Sequence, residues 1–207
     1  MKIESGFIQG SQEWLNARLG SVGGSQDGIS NIISSKGDRT TDKRRNDYVN
    51  RIAQERITGK PTKNNFSTFE TKWGHEHEPE ARKLFSFVKG FSVEECAMIW
   101  ADDKKQNHIS PDGIIIEIEK GLEIKCPQLK AFRKYIKAWK LPTDHILQVQ
   151  TSLAVTGWVS WYYMVYFPGL KPMILEIQRD EPLIKIIKAE ITIFNREVNT
   201  LIAELKS

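Results

Sequence analysis

Two carboxylates and a lysine lie in the middle of the chain at a spacing that suits phosphodiester chemistry. Asp112 follows Pro111, Glu123 comes eleven positions later, and Lys125 lies two residues beyond it. Because side chains alternate along a strand, Glu123 and Lys125 point to one face and Ile124 to the other. Carboxylate and backbone carbonyl oxygens are ligands that Mg²⁺ accepts. Such an ion can activate water for attack on a phosphodiester, and Lys125 can orient that water or neutralise charge on the phosphorus.

The carboxylates must be brought together by a β-hairpin over residues 113–126. Gly121 predicts that this hairpin turns near its own position. For Asp112 and Glu123 to lie opposite each other, the tip must instead lie near residues 117–118, and a bulge or a wide loop would reconcile the two. An isolated Glu-x-Lys pair is typical of a solvated strand, so the preceding Pro-Asp is what favours a functional site.

Composition restricts the class of protein. The chain has 207 residues, 40% hydrophobic and 27% charged, which predicts one globular domain over residues 1–207 rather than a disordered chain. Its apolar runs are too short to span a bilayer, and the first residues carry no signal-peptide pattern. Only two cysteines occur, Cys96 and Cys126, so a disulfide framework and a cysteine zinc site are disfavoured. We expect a cytoplasmic location, in a bacterial host if the gene belongs to a phage or prophage.

Positive charge is concentrated in two segments, although the net charge is only +4. Residues 36–63 contain nine Lys or Arg against four Asp or Glu, and residues 128–140 contain five and no acid. Each run alone is compatible with a solvated face. Together they flank the carboxylate motif, which favours contact with a phosphate backbone.

Hydrophobic periodicity and breaker residues predict an α/β fold in which helices flank a central, mixed and largely antiparallel sheet. Residues 62–72 are polar and predict a loop, and Pro79 is best accommodated in the first turn of the helix that follows. The predicted helices cover residues 11–18, 25–34, 41–58, 74–88, 128–140, 144–157 and 180 onwards. Strands are predicted over 91–100, 158–167 and 173–178, in addition to the hairpin.

The Pro-Asp…Glu-x-Lys pattern is the signature of the PD-(D/E)XK nuclease superfamily, and further blocks narrow the likeness. In order they are Gln9-Gly10-Ser11, Trp14, Arg18-Leu19-Gly20, Ser25, Trp73-Gly74, Glu78, Ser110-Pro111-Asp112-Gly113, Leu122-Glu123-Ile124-Lys125-Cys126-Pro127 and Gln148-Val149-Gln150. With these blocks the chain resembles the YqaJ-like viral recombinase family, the double-strand DNA exonucleases of the phage lambda exonuclease type. The resemblance extends to about residue 180.

The resemblance implies the roles of individual residues. Those implied as catalytic are Glu78, Asp112, Glu123, Lys125 and Gln150. Asp112, Glu123 and the carbonyl of Ile124 are implied as metal ligands, with Mg²⁺ as the cofactor, Mn²⁺ as a substitute and two ions per site. From the residues alone, a solvated helix carboxylate is the favoured interpretation of Glu78.

A pocket for a terminal 5′-phosphate is implied at Arg18, Ser25 and Ser110. A guanidinium and hydroxyl groups suit phosphate oxygens, and Ser25 is expected to open a helix whose N–H groups attract anions. The alternative for Arg18 is a surface arginine at a helix end.

The activity implied is Mg²⁺-dependent 5′→3′ digestion of one strand of linear duplex DNA from a 5′-phosphorylated end. The product would be a 3′ single-stranded overhang for phage-type homologous recombination. The implied partners are double-stranded DNA ends, two further copies in a ring-shaped homotrimer, and a single-strand annealing protein, with no membrane. Two alternatives stay open, a PD-(D/E)XK endonuclease and a non-catalytic DNA-binding relative, although the second should have lost part of the motif.

Four other residues have open roles. Trp14 could stack on a terminal base, but we expect it to fill the core. Asp102 lies ten residues before Asp112, where the family has another acid. His75 and His77 alternate on a predicted helix and therefore point to different sides, which disfavours a zinc site.

Overall fold

The computed structural model describes residues 1–41, 43–62 and 69–207, with the backbone alone for residues 69–71. These ranges contain eight strands and six α-helices. None of the helices is both long and apolar enough to cross a membrane. In chain order the elements are β1 Lys2–Glu4, α1 Gln12–Ala17, β2 Val22–Gly23, α2 Lys43–Thr58, α3 Phe69–Lys89, β3 Met98–Trp100, β4 Asn107–Ile109, β5 Gly113–Ile115, β6 Lys120–Lys125, α4 Leu129–Ala138, α5 Thr143–Thr156, β7 Ser160–Val165, β8 Met173–Gln178 and α6 Glu181–Glu204.

The strands of the described residues form two four-stranded mixed sheets. The first has the order β1-β3-β4-β2, with β2 and β4 parallel and the other neighbours antiparallel. The second has the order β5-β6-β7-β8, with β6 and β7 parallel and the other neighbours antiparallel. The predicted α/β class with mixed, largely antiparallel sheets flanked by helices is confirmed, but the strands are divided between two sheets.

Helices α5 and α6 connect the second sheet to α2. Val149 and Leu153 of α5 pack with Trp161 of β7 in one buried cluster. Phe194 of α6 packs with Tyr48 of α2 in another, with the two rings 4.9 Å apart. The sheet is therefore covered by α5, whose sequence contains the Gln-Val-Gln block, and this positions polar α5 side chains near the end of β6.

The hairpin turns earlier than Gly121, so the prediction of a break at that glycine is wrong. A 3₁₀ turn over Ile116–Ile118 joins β5 to β6, and Glu119 ends it with a positive φ of 52°. Gly121 lies inside β6, where the ring of Trp161 covers it. A Cβ there would lie 2.1 Å from the Trp161 ring, so this glycine permits close packing rather than a turn.

Several other elements differ from the sequence prediction. The helix expected over 25–34 is only a 3₁₀ turn at Ile29–Asn31, because Gly28 has non-helical backbone angles (φ −111°, ψ −86°) where it packs on the backbone of Gly23. The strand expected over 91–100 is reduced to β3, which pairs with the three residues of β1. Helix α3 begins at Phe69, so Pro79 lies inside it and not in its first turn. Residues 63–68 of the predicted loop, and Asp42 and Lys63 of the first basic run, lie outside the described residues.

Candidate active site

The register of β5 and β6 brings the two carboxylates together. Gly113 pairs with Leu122, so the preceding Asp112 lies opposite Glu123. The backbone N–H of Asp112 donates to the Leu122 carbonyl over 3.1 Å, and the N–H of Ile124 donates to Asp112 Oδ2 over 2.6 Å. Glu123 is only 3% exposed. The Glu-x-Lys motif is therefore a buried cluster and not a solvated pair on a strand surface.

The carbonyl of Ile124 points to the Asp112 side of β6. A strand residue directs its N–H and C=O to the same side, and these directions alternate along the chain. The N–H of Ile124 meets Asp112, whereas the carbonyl of the next residue, Lys125, accepts from Tyr166 at the other edge. Pairing with β5 ends at Leu122, so the Ile124 carbonyl has no strand partner on that side.

Glu123 is held by two donors from different elements. Lys125 Nζ lies 2.5 Å from Glu123 Oε1, and the side-chain amide of Gln148 on α5 donates to the same oxygen over 2.6 Å. Gln148 is thus the glutamine of the Gln-Val-Gln block that reaches the carboxylates. Helical spacing could have identified it, because Gln148 is three residues from His145 and four from Ser152, both buried.

Gln150 does not reach the cluster, so the structure contradicts its expected place beside the carboxylates. Its amide N–H donates to the Gln178 carbonyl over 2.9 Å, and its amide oxygen accepts from the N–H of Asp180 over 2.9 Å. Gln150 thereby joins the end of β8 to the start of α6. Two positions along a helix turn a side chain by about 200°, so only one glutamine of the pair can face the site.

Glu78 reaches the cluster from α3. Ala81 and Phe85 of the same helix are fully buried, which directs the Glu78 side chain inward. Arg82 pairs with Glu78 over 2.5 Å, and its Nε donates to the backbone carbonyl of Asp112 over 2.6 Å. Arg82 therefore fixes α3 against the Pro-Asp segment, a role that no sequence pattern indicated.

The buried cluster of Asp112, Glu123 and Glu78 carries an excess of negative charge. Burial, and then the charges of Glu123 and Glu78, raise the pKa of Asp112 well above its usual value. Burial also raises the pKa of Glu78, which Arg82 partly offsets. Burial alone would lower the pKa of Lys125, but the carboxylates of Glu123 and Asp112 raise it overall. The cluster therefore favours bound cations.

The residues fit a magnesium site whose ligands are partly water. Within the described ranges no three Asp, Glu, His or Cys side chains converge as a complete metal cage. Asp112, Glu123 and the unpaired Ile124 carbonyl nevertheless form a set of hard oxygen donors. Mg²⁺ is usually bound through one or two carboxylates and keeps several waters, so this incomplete oxygen set suits it.

The three residues of the expected phosphate pocket lie in one cavity. This cavity, of about 210 Å³, is lined by Arg18, Ser25 and Ser110 and also by Asp112, Lys125 and Gln148; we call it the Arg18 cavity. Ser25 opens a loop rather than the expected helix, so it has no helix N-terminus behind it. Among the described residues no carboxylate forms an ion pair with Arg18, and burial lowers the pKa of its guanidinium.

Trp14 forms a wall of the Arg18 cavity. Its indole N–H lies 3.0 Å from the Ala97 carbonyl and 3.2 Å from Ser110 Oγ, and the Arg18 guanidinium lies 4.3 Å from the centre of its ring. Trp14 packs against the cluster of Ala97, Met98 and Trp100, as the core role predicts. Its ring also supports the arginine.

Of Asp102, His75 and His77, only His75 lines the cavities that Asp112 and Glu78 also line. Asp102 lies in an exposed turn, where its carboxylate accepts from the N–H of Lys104. His75 borders the cavities beside Glu78, while His77 packs against Trp73 with ring centres 4.0 Å apart. The side chains of His75 and His77 therefore lie in different surroundings on α3.

Comparison with solved structures defines the fold class. An alkaline exonuclease (LHK-Exo) from Laribacter hongkongensis superposes with a TM-score of 0.82 and 29% identity, over 95% of this chain and 96% of that one. Its complex with dAMP matches equally well. A phage-related exonuclease from Haemophilus somnus 129PT has a TM-score of 0.65 and 16% identity, over 89% and 96% of the two chains, which shows the fold alone. This is the alkaline exonuclease fold.

The family follows from the sequence match. The YqaJ-like viral recombinase domain matches residues 13–159, and the chain belongs to this family. The family expected from the sequence blocks is thereby confirmed. No curated protein matches the chain by sequence.

Proposed function

We propose that this chain is a Mg²⁺-dependent 5′→3′ exonuclease. It degrades one strand of linear duplex DNA from a 5′-phosphorylated end and leaves a 3′ single-stranded overhang for phage-type homologous recombination. The family and the alkaline exonuclease neighbours support a nuclease of the lambda exonuclease type. The polarity, the metal and the preferred end are inferred from the residues of the site.

One observation carries the proposal. The carboxylates of Asp112 and Glu123 and the ammonium of Lys125 form a single cluster, and the Arg18 cavity opens directly on it. A cation-binding cluster is thus adjacent to an unpaired, half-buried guanidinium. That combination suits a strand whose end carries a phosphate and whose next phosphodiester lies at the metal. The Pro-Asp and Glu-x-Lys elements make this a PD-(D/E)XK site.

The chain's own residues divide the work of hydrolysis. Mg²⁺, or Mn²⁺ in its place, supplies charge neutralisation and an acidified water when bound at Asp112, Glu123 and Ile124, and the excess negative charge suits two ions. Lys125 donates to the attacked phosphate or orients the water, and Gln148 holds Glu123 and faces the same space. Glu78 adds a carboxylate at the α3 side.

Partners follow from the same proposal. The substrate is a double-stranded DNA end, and the basic segments over 36–63 and 128–140 contact its backbone. We further propose a ring-shaped homotrimer around the duplex, a single-strand annealing protein that receives the 3′ overhang, and action in the bacterial cytoplasm. Sedimentation and co-purification with such an annealing protein test these points independently of catalysis.

Digestion of end-labelled linear duplex in Mg²⁺ tests the activity, its polarity and its product together. We expect 5′-mononucleotides and a surviving complementary strand, no reaction in EDTA, and restored reaction in Mn²⁺. A covalently closed circular duplex is the matched control and should stay intact. Rapid cutting of the circle would instead support an endonuclease, and full inactivity with both substrates would support a DNA-binding relative.

A further inference from the structure

A second cavity opens on the carboxylate cluster, and the proposed function assigns no particular part of the DNA strand to it. It has a volume of about 630 Å³ and shares Asp112 and Lys125 with the Arg18 cavity. Its other walls come from α3, α4 and the start of α5; we call it the α4 cavity and define it by Gln128, Lys130, Lys134 and His145. The scissile position therefore lies between a small cavity and a larger one.

His145 presents a hydrogen-bond donor to the α4 cavity. It is 9% exposed, and its Nδ1 lies 2.5 Å from the hydroxyl of Tyr163. The buried Tyr163 hydroxyl has no other hydrogen-bond partner in the part of the chain that the structure describes, so donation from it to Nδ1 would satisfy it. A neutral imidazole then carries its proton on Nε2. Nε2 has no partner among the described residues, and His145 lines the cavity.

The imidazole of His145 stays neutral under working conditions. Burial, and then the charge of Lys125, lower its pKa to about 4. It can therefore donate one hydrogen bond without adding charge beside Lys125.

The N-terminus of α4 faces the same cavity. This helix has ten residues and no acid in its first turn, and its N-cap residue Gln128 makes no side-chain cap bond. The Nε2 of Gln128 is buried without a partner. Lys130 and Lys134, one turn apart on α4, also line the cavity. A helix N-terminus, two lysines and the unpartnered Nε2 of His145 together suit a phosphate group.

We propose that the α4 cavity binds the phosphodiester that follows the scissile one, with His145 and Lys134 as its donors and Gln128 in its wall. This inference rests on the proposed function, because it assigns the two cavities to two parts of one strand. The terminal 5′-phosphate occupies the Arg18 cavity, and the strand continues through the α4 cavity. The ligand is thus an internal phosphodiester of DNA, and the residues position it rather than react with it.

The test removes the negative charge of a single DNA phosphate. A 5′-phosphorylated duplex is prepared with an uncharged methylphosphonate at the linkage one nucleotide beyond the scissile bond, and first-nucleotide release is measured under single-turnover conditions in Mg²⁺. Loss of a charge-assisted contact is worth about 1.5–3 kcal/mol, so the modified duplex should react roughly ten- to a hundredfold more slowly. Lys134→Ala should slow the unmodified duplex and reduce this ratio to about threefold or less.

Three further variants separate positioning from folding. Lys137→Ala removes the same charge from α4 at a position that does not line the α4 cavity, so the ratio should stay at the wild-type value. His145→Phe removes the Nε2 donor and should also lower the ratio, with a thermal unfolding scan to verify the fold. His145→Gln restores a donor and should recover part of the ratio.

The outcomes distinguish this subsite from the proposed function. If the wild-type protein releases nothing from the unmodified duplex, the proposed exonuclease activity fails. If it does release nucleotides but the methylphosphonate changes the rate less than about twofold, only the α4 subsite is overturned. The subsite is also overturned if Lys134→Ala and His145→Phe slow both duplexes equally, since a structural role acts alike on both.

Discussion

Gln148 donates its side-chain amide to Glu123 Oε1, which is also the oxygen that pairs with Lys125. Gln150, two residues further on, instead joins β8 to α6. We therefore expect Gln148→Ala to lower the cleavage rate by roughly ten- to a hundredfold while the unfolding temperature changes little. Single-turnover digestion and thermal unfolding of the same preparation measure the two effects.

Gln150→Ala is the matched variant and should behave in the opposite way. It removes two partly buried hydrogen bonds, at a cost of about 1–3 kcal/mol in unfolding free energy. Its cleavage rate should stay near wild type at temperatures where it is folded. If Gln150→Ala lowered the cleavage rate more than Gln148→Ala, Gln150 would be the glutamine that acts in the site.

Asp112→Asn tests the central carboxylate. The amide keeps the shape and can still accept from the Ile124 N–H, but it removes one charge from a cluster that already raises the pKa of Asp112. Cleavage in Mg²⁺ should fall by at least about a hundredfold, as expected when a metal ligand is lost. Without metal the variant should unfold at the same temperature as the wild type or higher, because a buried charge has been removed.

Mg²⁺ itself should stabilise the fold through the same residue. Asp112 and Glu78 have raised pKa values, so their ionised forms reduce stability as the pH rises, and a bound cation relieves that repulsion. At a concentration a hundredfold above its dissociation constant, the ion should add about 2.7 kcal/mol. Thermal scans with Mg²⁺ and with EDTA give the shift. Asp112→Asn should show little of it, and an equal shift in both proteins would mean that Mg²⁺ binds elsewhere.

The sequence predicted the carboxylate cluster well because its parts are close along the chain. Pairing of β5 with β6 is local, and strand alternation then fixes Glu123 and Lys125 on one face. The hairpin tip was misplaced because Gly121 serves contact with Trp161, which lies forty residues away. The choice between Gln148 and Gln150 depends on how α5 is rotated over the sheet. The rotation of a helix over a sheet is set by tertiary packing and cannot be predicted from a short motif.

The long-range site residues show the same limit. Arg82 fixes α3 against the Asp112 carbonyl, and this bond joins positions thirty residues apart. His145 lines the same cavity as α4 and Lys125, a position that no sequence motif indicated. By contrast, Arg18, Ser25 and Ser110 were implied by the family resemblance, and the structure places them in one cavity.

Acid should weaken the fold through a buried histidine. Burial, and then the charge of Arg18, lower the pKa of His108 from 6.5 to about 3. Below about pH 6.5, His108 therefore binds a proton in the unfolded chain but not in the folded chain. The free energy of unfolding falls as the pH drops from there towards 3. At about pH 5 this amounts to roughly 2 kcal/mol.

The Nδ1 of His108 lies 2.7 Å from the Ser21 hydroxyl oxygen, and the matched variant His108→Gln keeps a polar side chain there. Urea unfolding at neutral pH and at about pH 5 gives the loss of stability for each protein. The carboxylates titrate alike in both, so their contribution cancels in the difference. The variant should lose roughly 2 kcal/mol less than the wild type. Equal losses in the two proteins would show that His108 is protonated in the folded state.

The terminal phosphate should act through Arg18. Its guanidinium lies on the ring of Trp14 in a cavity that opens on Asp112 and Lys125. A 5′-phosphate bound there would draw the strand inward and place the next phosphodiester at the metal. Duplex with a 5′-phosphate should therefore react about ten- to a hundredfold faster than duplex with a 5′-hydroxyl, the value of one charge-assisted contact.

Arg18→Ala should remove most of that difference by slowing the phosphorylated duplex while the hydroxyl duplex reacts almost as before. The comparison needs both duplexes with both proteins, because only the double difference isolates the contact between the arginine and the phosphate. Ser25→Ala should give a smaller effect of the same kind, since a hydroxyl contributes a neutral hydrogen bond. If Arg18→Ala slows both duplexes equally, the arginine serves the fold or general DNA binding, and the 5′-phosphate is bound elsewhere.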